Sequence, residues 1–408
     1  MLDVFQDEYG DIPQIGGSVD GMIFPDDLRT DGAALVLCED KEARIRVDGI
    51  KGKGAIESAE KLAKRIKCEN GVVVLHFPQA HIPSAFKFAK FFANGYYYSN
   101  KSKTEDSEKK KEYVRKFSDY CDRENIFYQS PMILNLFAKQ TNFKVPIIGI
   151  NLLHTQMRFN SPNIFCNFKD IESGIAALII EKKNINAIYD DIFPDKGKTL
   201  DETRQIVRKE FTIIKDFKAR FEKNVLISLD GKPPMQAVKN LIYISEDNEK
   251  ELNEHLGKGD FKVQMPYGLL FLNKQTNGAF ILGIGSYFPF DLFPFFMDVS
   301  DYSNEVSLFY ELIDDKFDLF LSSLKNLKYN PERFVFFSVD TSAPAAFGTK
   351  IFEYKDKVNK LLGNNYFGII SESSSAYIPP EFCLRNYLSE TKDNTFFMSA
   401  GTSISLEI

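Results

Sequence analysis

The chain contains no tryptophan and only four histidines among its 408 residues. Its five cysteines (Cys38, Cys68, Cys121, Cys166 and Cys383) are odd in number, scattered, and never spaced as C-x-x-C. That spacing excludes a disulfide framework and a zinc ribbon, and reads as reduced thiols. No apolar run approaches the ~20 residues that a bilayer span needs. The opening "MLDVFQDEYGD" also lacks the basic flank of a secretory signal. Positive charge is in deficit: 51 Lys and Arg against 57 Asp and Glu leave a formal net charge of −6. Nothing therefore draws the chain as a whole to nucleic acid or to an acidic membrane surface. The expected setting is the cytoplasm, with no membrane insertion and no nucleic-acid partner.

What the chain does have is phenylalanine, 38 of it within a 44% hydrophobic composition, enough for Phe-built cores in two domains. It also has a recurring phrase. "IPQIGGSVDG" from Ile12, "VPIIGINLLH" from Val145 and "YFGIISESSS" from Tyr366 each place an apolar run broken by Gly before small polar residues. Two of these follow a β-branched run, a Pro-marked turn and an amphipathic segment, as in "GVVVLHFPQAHIPSAFKFAKFFAN" and "FVFFSVDTSAPAAFGTKIFEYKDKVNKLL". A further apolar run comes after each phrase: "DGAALVLC", "GIAALII" and "TFFMSAGTSISLEI".

The expectation is an α/β or α+β fold of repeated strand-helix-strand-strand units, forming two related halves with helices packed on mixed sheets. Segments 12–18, 145–151 and 366–372 should then be strands that end in loops. The first unit lacks a leading strand and helix, so its edge needs cover from elsewhere. The charged stretch over about 100–125, "NKSKTEDSEKKKEYVRKFSDYCDREN", reads as a solvated insertion or helix extension. "TLDETRQIVRKEFTIIKDFKARFEK" reads as a polar helix linking the halves, with Thr199 and Glu202 forming a capping box. After it come a strand, an Asp230-Gly231 turn and a short helix, in "VLISLDGKPPMQAVKNLI".

The order of these segments resembles the FIST family of F-box and intracellular signal-transduction proteins. The resemblance is carried by "PQIGGSVDG" with "TDGAALVL", by "VPIIGINLLH", by the junction "LDGKPPMQAV", and by "QMPYGLLFL", "GIISESSSAYIPP" and "NTFFMSAGTSISL", collinear over nearly the whole chain. The chain departs from the family at "SVDTS", where many relatives have Cys-x-Gly-Arg, and at "SSSAYI", where they have Gly-Glu-(Ile/Val). Ile150 stands in place of the second Gly of the second phrase. The resemblance implies a FIST N-terminal-like domain over 1–222 and a C-terminal-like domain over 223–408. It further implies a cytoplasmic sensory protein that binds a small ligand such as an amino acid, with its signalling output in a separate protein.

Candidate site residues gather at the ends of the Gly-broken strands. Ser18 lies in "GGSVDG", which fails the G-x-S-x-G nucleophile elbow because Asp20 takes the place of the last Gly. The Gly17 and Ser18 amides with the Ser18 hydroxyl suit a bound carboxylate; the alternative is a tight turn that needs Gly at positive φ. Asn151 and His154 close the second phrase after its Gly-broken run, where ligands meet strand ends in open sheets. Asp340 and Thr341 leave one strand of the third unit, while Glu372, Ser373 and Ser374 leave the next. If those strands are parallel neighbours, their hydroxyls and two carboxylates suit the ammonium and carboxylate of an amino acid, with Tyr377 as an apolar wall.

His76 and His81 flank Pro78 and read as structural or solvated, and Asp190, Asp191 and Asp195 read as an acidic turn. No nucleophile stands beside a base and an orienting acid. The expected protein binds a small ligand and uses no metal and no cofactor. The alternatives are a hydrolase-like enzyme built on Ser18 or His154, and an interaction scaffold with no ligand.

Overall fold

Two parallel strand pairs organise the molecule. In the computed structural model, β5 (Val72–Pro78) and β6 (Ile147–Leu152) run parallel, joined through helices α3 (Ala85–Lys101), α4 (Ser107–Arg123) and α5 (Ser130–Gln140). Strands β17 (Val335–Asp340) and β18 (Tyr366–Ser371) repeat the arrangement around α8 (Ile351–Leu362). Parallel neighbours require such a crossover, because a tight turn can join only antiparallel strands. The structure describes residues 2–10, 12–29, 32–52, 55–78, 85–124, 126, 130–152, 163–172, 174–183, 185–191, 197–238, 241, 267–275, 277–283, 291–294, 299–310, 321, 324, 333–340, 351–371, 373–377, 379, 397–399 and 402–407.

Each pair is the centre of a six-stranded mixed sheet. The first sheet runs β20 (Phe397–Ser399), β19 (Ser373–Tyr377), β6, β5, β9 (Ile175–Glu181), β4 (Arg44–Ile50). The second runs β10 (Asn186–Asp191), β21 (Thr402–Glu407), β17, β18, β2 (Gly21–Ile23), β3 (Leu28–Arg29). Leu75 stands opposite Gly149 in one sheet, and Phe337 opposite Gly368 in the other. Placing Gly149 on Gly368 therefore matches His76 with Ser338, and matches Ser373, opposite Asn151, with Gly21, opposite Ile370. Each half lends strands to the other's sheet: β2 and β3 complete the second, β19 and β20 the first. The fold is mixed α/β with mixed sheets, as expected.

The three recurring phrases are strands. The first is β1 (Ile15–Gly17), the second β6, the third β18. Pairing with β7 (Ile164–Cys166), which in turn pairs with β8 (Lys169–Asp170), covers the β1 edge. Their glycines answer to packing rather than to turn geometry. Neither Gly16 nor Gly17 has positive φ, correcting that expectation, and a Cβ on Gly17 would collide with a Leu152 methyl. At Gly368 a Cβ would meet the Phe337 ring, which lies fully buried across the neighbouring strand. Gly368→Ala is expected to cost about 1–3 kcal/mol by overpacking, read as a lower urea midpoint; an unchanged midpoint would show that the ring shifts freely.

The faces of the two sheets divide the cores. Val72, Val74, Ile148 and Ile150 of the first sheet pack with Ile369 of the second, and with partly buried Phe336 and Phe367. The opposite face of the first sheet (Val73, Leu75, Phe77, Ile147) packs under α5 and α2 (Ala55–Ala63). The opposite face of the second (Phe337, Val339, Ile370) packs with Tyr354 and Val358 of α8 and with a third sheet. That third sheet is wholly antiparallel: β14 (Ala279–Gly283), β13 (Tyr267–Asn273), β16 (Tyr302–Tyr310), β11 (Thr212–Glu222), β12 (Val225–Leu229), β15 (Phe293–Pro294).

Three expectations are corrected. "DGAALVLC" forms no strand: 33–40 has no regular structure, and Leu37 is 52% exposed. The place beside β9 is taken by β4, which leaves that run without a ladder to join. The linking helix stops early, as α6 (Leu200–Glu210), because 212–222 alternates Phe217 and Ala219 inward with charged residues outward and is β11. Thr199 does cap α6, accepting from Glu202 N–H at 3.2 Å, while the Glu202 carboxylate reaches Lys198 N–H instead of closing the box.

The charged stretch is the third correction, because α4 packs. Asp106 caps it, accepting from the Glu108 and Lys109 amides. One face is charged; the other buries Val114, Phe117, Tyr120 and Cys121 against Phe91 of α3 and against Val225 and Ile227 of β12. Ser118 Oγ and Asn224 Oδ1 are 2.7 Å apart at that contact, and Arg115–Glu222 and Lys223–Asp119 pairs flank it. The expected domain boundary at 222/223 falls in the turn between β11 and β12 of this one sheet.

Candidate functional site

The C-terminal ends of all four parallel strands, at Pro78, Leu152, Asp340 and Ser371, lie where the chain passes between the two mixed sheets. At this end it passes from β1, in the small three-stranded sheet, to β2 through Ser18, Val19 and Asp20, from β18 to β19 across position 372, and from β20 to β21. Ligands favour such ends, since there the strands stop and the connections diverge. The matched register makes Asp20 the counterpart in sequence of Glu372, each preceding a lent strand.

Polar residues replace apolar ones at this end of the inter-sheet layer. In β5, strand alternation puts His76 on the face of Val72 and Val74, and it is only 7% exposed. In the second sheet Ser338 and Ser371 take the corresponding face, both fully buried, with hydroxyl oxygens 3.0 Å apart. Asp20, 7% exposed, donates its backbone N–H to the Ile370 carbonyl at 2.9 Å. Gly17 lies against His76 and Leu152: a Cβ there would stand 3.7 Å from His76 Nδ1.

Burial holds the His76 pKa down at about 4, only partly offset by the Gly16 backbone, so the imidazole is neutral at physiological pH. Among the described residues its buried Nδ1 has no hydrogen-bond partner. Burial likewise pushes the Cys68 and Cys166 thiols up to about 11, and Cys121 higher still, so these are protonated, unreactive core groups.

The residues expected to bind are split by the first sheet. Ser18 is on the inter-sheet side, where its backbone N–H donates to the Asn163 carbonyl at 2.9 Å and its hydroxyl accepts from the Asn163 amide at 3.2 Å. Asn151 is on the α5 side, fully buried, donating to Ser130 Oγ at 2.5 Å. Ser373 stands opposite Asn151, and Ser374 opposite Ile150. Asp340 stands opposite Ser371, so these two strand ends of the third unit lie side by side. His154, Thr341 and Glu372 lie outside the described residues, as does His81. Tyr377 turns to the α5 side, its hydroxyl donating to the Phe143 carbonyl at 2.9 Å. Asp190 and Asp191 are in β10, not a turn. Among the described residues no group of three or more His, Cys, Asp or Glu is placed to hold a metal ion, and no helix is long and apolar enough to cross a membrane.

By sequence His76 reads as structural or solvated and Asp20 only breaks the nucleophile elbow, while Ser338 and Ser371 stand out in no motif. Their signal was a polar residue interrupting an apolar run, as in "VVVLHFP" and "VFFSV".

The profile of the AF0772-like protein C-terminal domain matches residues 201–314. This span contains most of α6 and every strand of the antiparallel sheet, so the sheet and the matched unit coincide. An uncharacterized protein of Archaeoglobus fulgidus is 25% identical over 251 residues, covering 60% of this chain and 69% of that protein.

Proposed function

We propose that the protein is a FIST-like sensory protein of the cytoplasm, binding a small ligand where its two parallel strand pairs end and signalling through a separate protein. An amino acid is the first ligand class to test. The observation that carries this reading is the set of buried polar side chains, His76, Asp20, Ser338 and Ser371, gathered at one end of an otherwise apolar layer. Buried polar groups are costly unless satisfied, and convergent polar groups over an apolar floor are what small-ligand sites offer. The two sheets are tied through packing, lent strands and the connections that cross between them, so a ligand touching both would bias how one sits on the other.

Binding is favoured over hydrolysis by the Ser18 hydroxyl, which is engaged by the Asn163 amide; among the described residues no base reaches it. The test is thermal unfolding of the whole chain with each of the twenty L-amino acids. A binder present at a hundred times its Kd should stabilise the fold by about 2.7 kcal/mol, raising Tm. No rise with any of them would remove the amino-acid reading, and turnover of a bound compound would favour the enzyme.

A further inference from the structure

We propose that His76 is the specificity-determining acceptor of the site, taking a hydrogen bond at Nδ1 from the ammonium group of a small amine or amino acid held between the two mixed sheets. This rests on the binding function proposed above and deepens it.

Four observations converge on the imidazole. It is more than nine-tenths buried, yet among the described residues Nδ1 has no hydrogen-bond partner, and buried acceptors are seldom left without a donor. The neighbouring backbone is Gly17, whose missing side chain lets the crossing segment lie against the ring and Leu152. Across the layer stand the Ser338 and Ser371 hydroxyls, and Asp20 lies at the far end of the same crossing. Finally, the two sheets match residue for residue in register here, but His76 has Ser338 as its counterpart. A purely architectural position in two matched sheets calls for no such difference in chemistry.

The surroundings select the donor. A neutral imidazole accepts from a cation without repelling it. A carboxylate or phosphate would meet the Asp20 carboxylate, whereas an ammonium is attracted to it. Hydroxyls accept from an ammonium as readily as they donate, so Ser338 and Ser371 on the facing sheet are compatible with a cation beside them.

The experiment uses the full chain labelled with 15N. Four histidines leave few imidazole signals, and the spectrum of His76→Gln identifies the one from His76. The probes are the twenty L-amino acids, their N-acetyl derivatives and ethanolamine, each added singly. The expected result is that any probe that raises Tm also shifts the His76 Nδ1 resonance, and that N-acetylation abolishes both effects. His76→Leu should then bind that probe about 10- to 100-fold more weakly, and His76→Gln, whose amide oxygen still accepts, by less. If His76→Leu does not fold, the Nδ1 resonance of the unaltered protein decides alone. A raised Tm with an unmoved Nδ1 signal overturns the assignment of His76 and leaves the sensory reading standing. Neither effect from any probe overturns both.

Discussion

Phe117→Ala is expected to lower stability by about 3–5 kcal/mol, seen as a large fall in the urea midpoint. Phe117 lies in the middle of the most charged stretch of the chain, yet it is fully buried. Its ring sits with centroids 6.3 Å from Phe91, 5.9 Å from Tyr98 and 6.5 Å from Tyr120. Truncation would remove those contacts and leave a cavity between α3, α4 and β12, which the sheet cannot collapse to fill. Lys116→Ala on the neighbouring, solvent-facing position is the control. It loses an exposed pair with Glu112 and a contact with the face of the Tyr113 ring, and should stay within about 1 kcal/mol. Equal, small effects of the two substitutions would mean that α4 does not pack on the antiparallel sheet.

The second large effect is on pH dependence, and it comes from His76. Its folded pKa, about 4, lies below the ordinary histidine value of 6.5. Between those values the unfolded chain binds a proton that the folded protein does not, so stability falls as the pH falls through this window. Above 6.5 both states are neutral, and below about 4 both are protonated, so the change is confined between them. At about 1.4 kcal/mol per pKa unit, the gap amounts to about 3 kcal/mol. His76→Gln has no proton to gain there. The difference between native protein and variant, measured by urea unfolding from pH 7.5 to pH 4, should isolate this group from the carboxylates titrating alongside it. Parallel curves for the two proteins would show that the imidazole is not buried as a neutral group.

Much of the architecture was legible because it is written in local pattern. Strands β5, β6, β17 and β18 are β-branched or aromatic runs, and α3 and α8 follow them at helical spacing. The Asp230-Gly231 turn announces itself by residue type, and both residues do have positive φ. Where the reading failed, a long-range partner had overruled a local preference. β11 was read as helix because its charges hide an alternation that matters only once β12 and β16 flank it. "DGAALVLC" was read as strand because nothing local reveals that β4 already occupies the ladder.

The candidate site divides the same way. Position along the chain was enough to place the end of β17, at Asp340, beside the end of β18, since a strand-helix-strand unit makes its two strands parallel neighbours. It was not enough to show that Ser18 and Asn151 stand on opposite faces of one sheet, or that His76 shares the layer with Ser338 and Ser371. By itself the amino-acid sequence determined the repeated unit, its parallel pairs and the Gly-broken strand ends, because periodicity and turn chemistry act over a few residues. Only the tertiary structure decided which faces meet and which strands are lent across. Those outcomes depend on ladders and packing between segments hundreds of residues apart, such as β2 with β18, and no local pattern carries that pairing.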